Sequence, residues 1–197
     1  MRWSLPGLVC LTAAPALACP TADDLRTGIL VVFADGAVDR HTGFGNEDVR
    51  VEVLQDDQVI QVDLGAHGAC LLNSAEIEPN GDRAGEIAVS YPDAIPGPTP
   101  SSEWIVTVTE SHDGGADAIE EAHVWHEMRE TTIGGGLFAA YDGVLTRRYA
   151  DGDFAGELEG VEMVTYLPEH GFGFVAGAGL NALDLDLYDV ERIEAVE

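Results

Sequence analysis

Hydrophobic and polar residues alternate with a period of two over much of the chain, most clearly in two runs that flank residues 55–58. The apolar positions are Val49, Val51 and Val53 in the first run and Ile60, Val62 and Leu64 in the second. This alternation is typical of strands with one buried side. It predicts an antiparallel hairpin with one apolar face, which further strands must cover because a lone hairpin is only marginally stable.

The same alternation recurs along the chain, interrupted by turn signals such as Asp35-Gly36 and Asp142-Gly143. About ten to twelve short strands with this spacing predict an all-β fold, either an antiparallel β-sandwich, an open barrel or a curved sheet. Residues 20–28 predict a short N-terminal helical turn, because Thr21 can cap it and a glycine ends it. Residues 117–123 are a candidate for a second helical turn.

Four prolines fall within residues 92–102. This stretch cannot be a central strand, because proline lacks the N–H group that a sheet requires. It is either a linker between two β units or a surface loop. Neither half of the chain has a self-contained pattern, so we interpret residues 19–197 as a single β-rich domain with a proline-rich loop.

Residues 1–18 have the features of a cleaved signal peptide. Arg2 precedes a short apolar run over 5–17, and Ala16-Leu17-Ala18 provides the small-x-small cleavage pattern. The sequence therefore predicts export to the periplasm or the medium. After residue 18 no apolar run is long enough to predict a transmembrane helix.

Cleavage after Ala18 leaves two cysteines, Cys19 and Cys70. Two cysteines in an exported chain are most simply explained by one disulfide. The alternative is a lipid anchor on Cys19. Lipoprotein signals usually carry leucine three residues before the modified cysteine, whereas this chain has Ala16 there, so the disulfide is favoured.

The predicted mature chain is strongly acidic, with eight arginines, no lysine and 36 acidic residues after Arg2 is removed, a formal charge of −28. Such a chain repels nucleic acids and anionic membranes. Cations or basic protein surfaces are the partners that it suits, although the charge can also serve only solubility. The lack of lysine excludes phosphate-binding loops that end in Gly-Lys-Ser/Thr, Schiff-base lysines and Ser-Lys pairs.

Residues 151–162 resemble a twelve-residue calcium loop. The carboxylates Asp151, Asp153, Glu159 and Glu162 occupy places 1, 3, 9 and 12 of that pattern. Ala155 departs from it, because place 5 normally supplies an oxygen ligand. The competing interpretation is a β-hairpin with an acidic face, and any calcium binding is expected to be weak.

His123 and His126 form a weaker metal motif. On a helix they would share a face and could begin a zinc site, whereas on a strand they would point in opposite directions. We favour the strand. Together with Asp151 and Asp153 they define an alternative function, a metal-assisted hydrolase, which requires that the four side chains converge in one pocket.

No Gly-x-Ser-x-Gly nucleophile motif is present, so a binding or structural module is favoured over an enzyme. Five aromatic residues could line a groove or simply form core: Trp104, Tyr141, Tyr149, Tyr166 and Phe172. A curved antiparallel sheet in the periplasm is similar to the half-barrel of bacterial lipoprotein carriers and lipid-binding proteins. That likeness concerns architecture and does not imply function.

Overall fold

The structure is a computed structural model that describes residues 19–45 and 47–196. The predicted signal peptide, residues 1–18, lies outside the described residues. The described chain forms a 3-10 turn, Ala22–Arg26, and 14 strands. The strands are β1 Ile29–Phe33, β2 Val38–Phe44, β3 Asp48–Gln55, β4 Gln58–Ala66, β5 Cys70–Ile77, β6 Arg83–Ser90, β7 Glu103–His112, β8 Gly115–Trp125, β9 Arg129–Ile133, β10 Gly136–Tyr149, β11 Leu158–Leu167, β12 Phe172–Gly179, β13 Asp186–Leu187 and β14 Val190–Ala195.

All the strand pairs are antiparallel and belong to one open sheet. Its order is β13-β12-β11-β10-β8-β7-β6-β5-β4-β3-β2-β1-β14, and β9 pairs with β10 beside this path. The prediction of an all-β fold is confirmed. The sheet does not close, because β13 at one end of the path and β14 at the other are not neighbours.

The hairpin predicted over residues 49–64 is confirmed as β3 and β4. The prediction that the apolar residues of its two strands share one face is wrong. Val51 pairs with Asp63, and Val53 pairs with Gln61. A register irregularity next to Val53 places one extra residue in β4. Because side chains alternate along a strand, a shift of one residue turns Val62 and its apolar neighbours to the opposite face and brings Asp63 to the face of Val51.

The predicted N-terminal helical turn is confirmed as the 3-10 turn. The Asp24 carboxylate accepts hydrogen bonds from the Thr21 backbone N, at 2.7 Å, and from Thr21 Oγ1, at 2.8 Å. The second helical turn proposed for residues 117–123 is wrong, because this segment is the central part of β8. There it pairs on both sides, with β7 and with β10, and strand pairing overrides the local preference.

The sheet curves so that its two ends pack face to face. The main core joins residues of β1, β3, β10, β11, β12 and β14: Ile29, Val31, Phe33, Val49, Phe138, Ala140, Leu167, Phe172, Phe174 and Ile193. The His41 ring on β2 lies with its centroid 4.6 Å from that of Phe172 on β12. The face of the sheet that carries Val31 on β1 is called the inner face below, and the strand register places Asp63, Glu121 and Leu145 on the same face. Burial of the core residues from the two ends of the sheet holds the curvature.

The proline-rich segment is the connection between β6 and β7, which are direct neighbours in the sheet. It lies across one end of the curved sheet. The Tyr141 hydroxyl donates a hydrogen bond to the Pro98 carbonyl at 2.7 Å, and a ring nitrogen of His67 lies 3.1 Å from the Ile95 carbonyl oxygen. The segment thus contacts both β10 and the β4–β5 turn.

The predicted disulfide is not present in the structure, where Cys19 and Cys70 both have free sulfur atoms. Cys70 begins β5 and is only 2% exposed. Cys19 is exposed, and its sulfur atom lies beside Gly136. A Cβ atom added to Gly136 would be 2.7 Å from that sulfur. Strand pairing, which sequence spacing does not reveal, decides where each sulfur lies. Within the described residues no helix is long and apolar enough to cross a membrane.

Candidate functional site

The residues of the predicted calcium loop form a hairpin rather than a cage. Asp151 and Asp153 are exposed in the turn between β10 and β11. Glu159 lies 3.4 Å from Arg147, and Glu162 is on the inner face opposite Leu145. No three acidic, histidine or cysteine side chains of the described chain are arranged to hold a metal ion. A site that uses all four carboxylates is therefore not formed, and weak calcium binding at the turn stays a prediction.

The predicted zinc pair is separated. His123 is in β8 and is 2% exposed on the inner face, whereas His126 follows the end of β8 and is exposed. Residues three apart along an extended chain point to opposite sides. The metal-assisted hydrolase loses its structural basis, because His123 and His126 do not converge with Asp151 and Asp153.

Most of the aromatic residues considered for a groove belong to the core. Phe172, Tyr141 and Tyr166 are no more than 8% exposed. Trp104 and Tyr149 are half-buried. The interpretation of these rings as core is therefore correct for the three buried ones.

The inner face also carries a group of buried charges that is here called the Arg147 cluster. It consists of Arg147 on β10 with Glu110 on β7, Glu121 on β8 and Glu159 on β11. The guanidinium donates to Glu110, and its Nη1 lies 3.4 Å from Glu159 Oε1. One cation therefore lies among three carboxylates from three other strands.

Glu121 has further partners within the protein. Its Oε2 accepts a hydrogen bond from the Tyr91 hydroxyl at 2.9 Å and lies 3.2 Å from His123 Nε2. Burial raises the pKa of Glu121, but the hydrogen bond to His123 and the charge of Arg147 outweigh it, so the pKa lies below the usual value. The Trp104 ring packs against both Tyr91 and His123.

The pKa values of two neighbouring carboxylates, Glu159 and Glu162, are shifted upward. Burial and the charges of Glu110 and Glu121 raise the pKa of Glu159, although Arg147 opposes the rise. Burial raises the pKa of Glu162 as well. Arg147 acts to lower the pKa of both glutamates, and the hydrogen bonds that Glu121 makes with His123 and Tyr91 keep its pKa the lower of the two. Because Arg147 pairs with carboxylates from three other strands, we interpret the Arg147 cluster as a structural ion network, in which Arg147 Nε and Glu159 Oε2 make no hydrogen bond.

A cavity of about 350 Å³ opens where the turn between β1 and β2 faces β12 and the β13–β14 connection. It is called the cleft below. Its lining combines apolar and acidic residues: Phe33, Ala34, Asp35, Ala37, Asp39, Val175, Leu187, Tyr188 and Asp189.

Backbone hydrogen bonds fix the walls of the cleft. The Ala34 N–H donates to the Asp189 carbonyl at 2.8 Å, which joins the β1–β2 turn to the segment before β14. The Tyr188 N–H donates to the Ala176 carbonyl at 2.9 Å and holds that segment against β12. The Phe33 and Tyr188 rings meet edge to face with centroids 6.3 Å apart. The cleft is therefore an ordered feature of the fold.

Asp39 forms the inner wall of the cleft. It lies on β2 between Val31 on β1 and Val53 on β3, its cross-strand partners. Its carboxylate makes no hydrogen bond or ion pair with any residue that the structure describes. Burial, together with the charge of Asp63, raises its pKa to about 7. Asp39 is thus an unpaired acid that can exchange a proton near neutral pH.

A second and more open cavity, of about 400 Å³, lies under the proline-rich segment. His67, Tyr91 and Ile95 are among its lining residues. Tyr91 connects it to the Arg147 cluster through its hydrogen bond to Glu121. Its walls depend on the same contacts that hold the segment in place.

Sequence reasoning missed Asp39 and the Arg147 cluster. A signal for the cluster does exist. Arg147 stands in the alternating series Leu145, Arg147, Tyr149, and Glu121 stands between Ile119 and His123, so both charges occupy positions that the alternation assigns to the apolar face. A charge at such a position requires a partner.

Comparisons with known proteins add little. No protein-family model matches the chain, and no curated protein matches it. The crystal structure of the hypothetical lipoprotein YmcC from Escherichia coli K12 has a TM-score of 0.44 with 10% sequence identity, over 88% of this chain and 87% of that chain. A likeness of this extent carries no argument about function.

Proposed function

We propose that the chain is an exported binding module that holds a small, partly apolar ligand in the cleft. The cavity itself carries this proposal. Its volume of about 350 Å³ lies at the small end of the range of ligand sites, roughly 300–1,000 Å³, and apolar walls with a few polar groups are typical of such sites. The sequence favours a binding or structural module over an enzyme, and the cleft supports a binding module.

The walls of the cleft include apolar side chains that the protein itself leaves uncovered. Leu187 is 65% exposed and Tyr188 is 42% exposed. Leu180 and Leu183, in the same connection between β12 and β14, are 77% and 99% exposed. Neighbouring exposed apolar residues are typical of ligand or partner sites. A ligand in the cleft would cover Leu187 and Tyr188.

The proposed location is the periplasm or the extracellular medium. The signal-like features of residues 1–18 support export. The free sulfur of Cys19 leaves that residue available for a lipid tether, the alternative that the sequence raises. Binding in the cleft does not depend on whether Cys19 carries a lipid, because Cys19 is not among the lining residues.

A neutral fluorescent probe tests the proposal. We would titrate residues 19–197 with N-phenyl-1-naphthylamine, whose emission rises in apolar surroundings, and expect saturation at one probe per chain. The variant Ala37→Trp places a large side chain in the cleft and should weaken binding by tenfold or more. Ala88→Trp is the matched control, because Ala88 is exposed on β6 and does not line the cleft.

Loss of binding in Ala37→Trp but not in Ala88→Trp would support the proposal. Equal binding by the two variants, or no saturable binding to the unmodified chain, would overturn it. Urea unfolding of both variants would show that each remains folded, so that a loss of binding is not a loss of structure.

A further inference from the structure

We infer that the ligand of the cleft is an organic cation, an ammonium group with an apolar substituent. This inference rests on the proposed function and adds the chemical class of the ligand. The lining residues with charged side chains are Asp35, Asp39 and Asp189, all of them acids, and no basic residue lines the cavity. A cavity with apolar walls and charges of one sign is complementary to a ligand that has both an apolar part and the opposite charge.

No cation of the described protein neutralises these acids. The arginine ion pairs all involve other carboxylates, and the chain has no lysine. Arg148, which forms no ion pair among the described residues, donates to the Gly156 carbonyl. The cleft therefore leaves room for a positive charge that the chain does not supply.

The three acids differ in position. Asp35 and Asp189 are exposed at the rim, whereas Asp39 is half-buried on the inner wall. Asp35 already accepts a hydrogen bond from the Ala37 N–H at 3.0 Å, which closes the β1–β2 turn. Asp39 has no such partner and is the anchor for the ammonium group. A charge pair that is partly removed from water attracts more strongly than one at the surface.

The apolar walls favour an organic cation over a metal ion. Phe33, Val175 and Leu187 offer no oxygen atoms from their side chains, so they suit an alkyl or aryl substituent. The described acids, histidines and cysteines form no group of three that could hold a metal ion. Phe33 and Tyr188 add aromatic rings to the wall, and aromatic rings attract alkylated ammonium groups.

The test uses two probes of the same shape. Phenyltrimethylammonium and its uncharged isostere tert-butylbenzene would compete with N-phenyl-1-naphthylamine for residues 19–197 at pH 8. We expect the cation to compete at least tenfold more strongly than the isostere. Asp39→Asn should reduce that preference to less than threefold and leave the isostere unchanged. Asp113→Asn, which removes an equal charge from the β7–β8 turn, should preserve the preference.

The outcomes separate this inference from the proposed function. If the two probes compete equally, or if Asp39→Asn keeps the preference, the inference is overturned while the cleft remains a site for apolar ligands. If the naphthylamine binds Ala37→Trp as well as it binds the unmodified chain, the proposed function itself fails. A preference that requires Asp39 and survives Asp113→Asn supports both.

Discussion

Arg147 on β10 lies directly opposite Glu121 on β8, with the Nε atom of the arginine 3.3 Å from Oε1 of the glutamate. The same guanidinium contacts Glu110 on β7 and Glu159 on β11. One side chain thus connects four strands on the inner face. An arrangement of this kind stabilises the fold only while every charge keeps its partner.

Replacing the arginine should expose this dependence. In Arg147→Met three partly buried carboxylates lose the arginine that they share, so we expect the free energy of unfolding at pH 7 to fall by about 2–4 kcal/mol. The loss should be smaller at pH 5, because the carboxylates can then take up protons. Urea unfolding at the two pH values measures both effects.

Arg26→Met is the control for that experiment. Arg26 pairs with Asp23 in the N-terminal turn, where both side chains are more than three-quarters exposed. Exposed pairs contribute about 0–1 kcal/mol. If Arg147→Met costs no more than Arg26→Met, the ion network is not structural.

Asp39 should lower the stability of the protein at alkaline pH. Its pKa is raised from the usual 3.8 to about 7, so the folded state binds the proton more tightly than the unfolded state. The stability that this gives is complete below pH 3.8 and is lost as the pH rises to about 7. The rise in the pKa of Asp39 corresponds to at most about 4 kcal/mol of stability, and contact of the carboxyl group with solvent in the cleft makes this contribution smaller.

Asp39→Asn should therefore raise the free energy of unfolding at pH 8 by about 1–3 kcal/mol and have little effect at pH 4. Asp35, Asp63, Asp189 and the Tyr188 hydroxyl are the other titratable groups around this side chain. Urea unfolding at pH 4, 6 and 8 provides the measurement, with Asp113→Asn as the comparison. A gain that is the same at all three pH values would contradict the assignment of the effect to Asp39 ionisation.

Gly143 should not tolerate a side chain. It pairs with Trp125 across β8 and β10, and a Cβ atom on Gly143 would overlap the tryptophan ring. Gly143→Ala must displace Trp125 from its contacts with Tyr141 and Tyr166, so we expect a loss of about 2–4 kcal/mol in urea unfolding.

Gly160→Ala is the matched substitution in β11. A Cβ atom there has its nearest neighbour at 3.9 Å, the Gly179 carbonyl oxygen. The change should cost less than about 1 kcal/mol. If the two variants unfold at the same urea concentration, the close approach of Trp125 to Gly143 does not matter for stability.

The two cysteines should differ sharply in reactivity. Cys19 is exposed, whereas Cys70 is buried, and burial with the charge of Glu121 raises the pKa of the Cys70 thiol to about 12. Ellman's reagent should therefore modify Cys19 in the native exported protein and reach Cys70 only in denaturant. A mass about 2 Da below the reduced value, with no free thiol, would show that Cys19 and Cys70 form the predicted disulfide. A gain of several hundred daltons (roughly one to three acyl chains) would instead show a lipid on Cys19.

The class of the fold and its local elements can be predicted from the amino-acid sequence alone. Alternation with a period of two predicts strands, and turn residues such as Asp35-Gly36 separate them. The N-terminal turn also followed from local chemistry, because Thr21 and Asp24 are only three residues apart. Features that depend on neighbours within a few residues can be read from the chain directly.

Which residues come into contact depends on the three-dimensional arrangement of the strands. One extra residue in the β3–β4 hairpin places Asp63 on the inner face, where its charge acts on Asp39. Arg147 and Glu121 come together because β8 pairs directly with β10, while β9, which lies between them in sequence, pairs with β10 beside the main path of the sheet. The cleft needs the β1–β2 turn beside Tyr188, more than 140 residues later in the chain. Such contacts depend on register and curvature, which arise from the packing of the whole sheet and not from any local pattern.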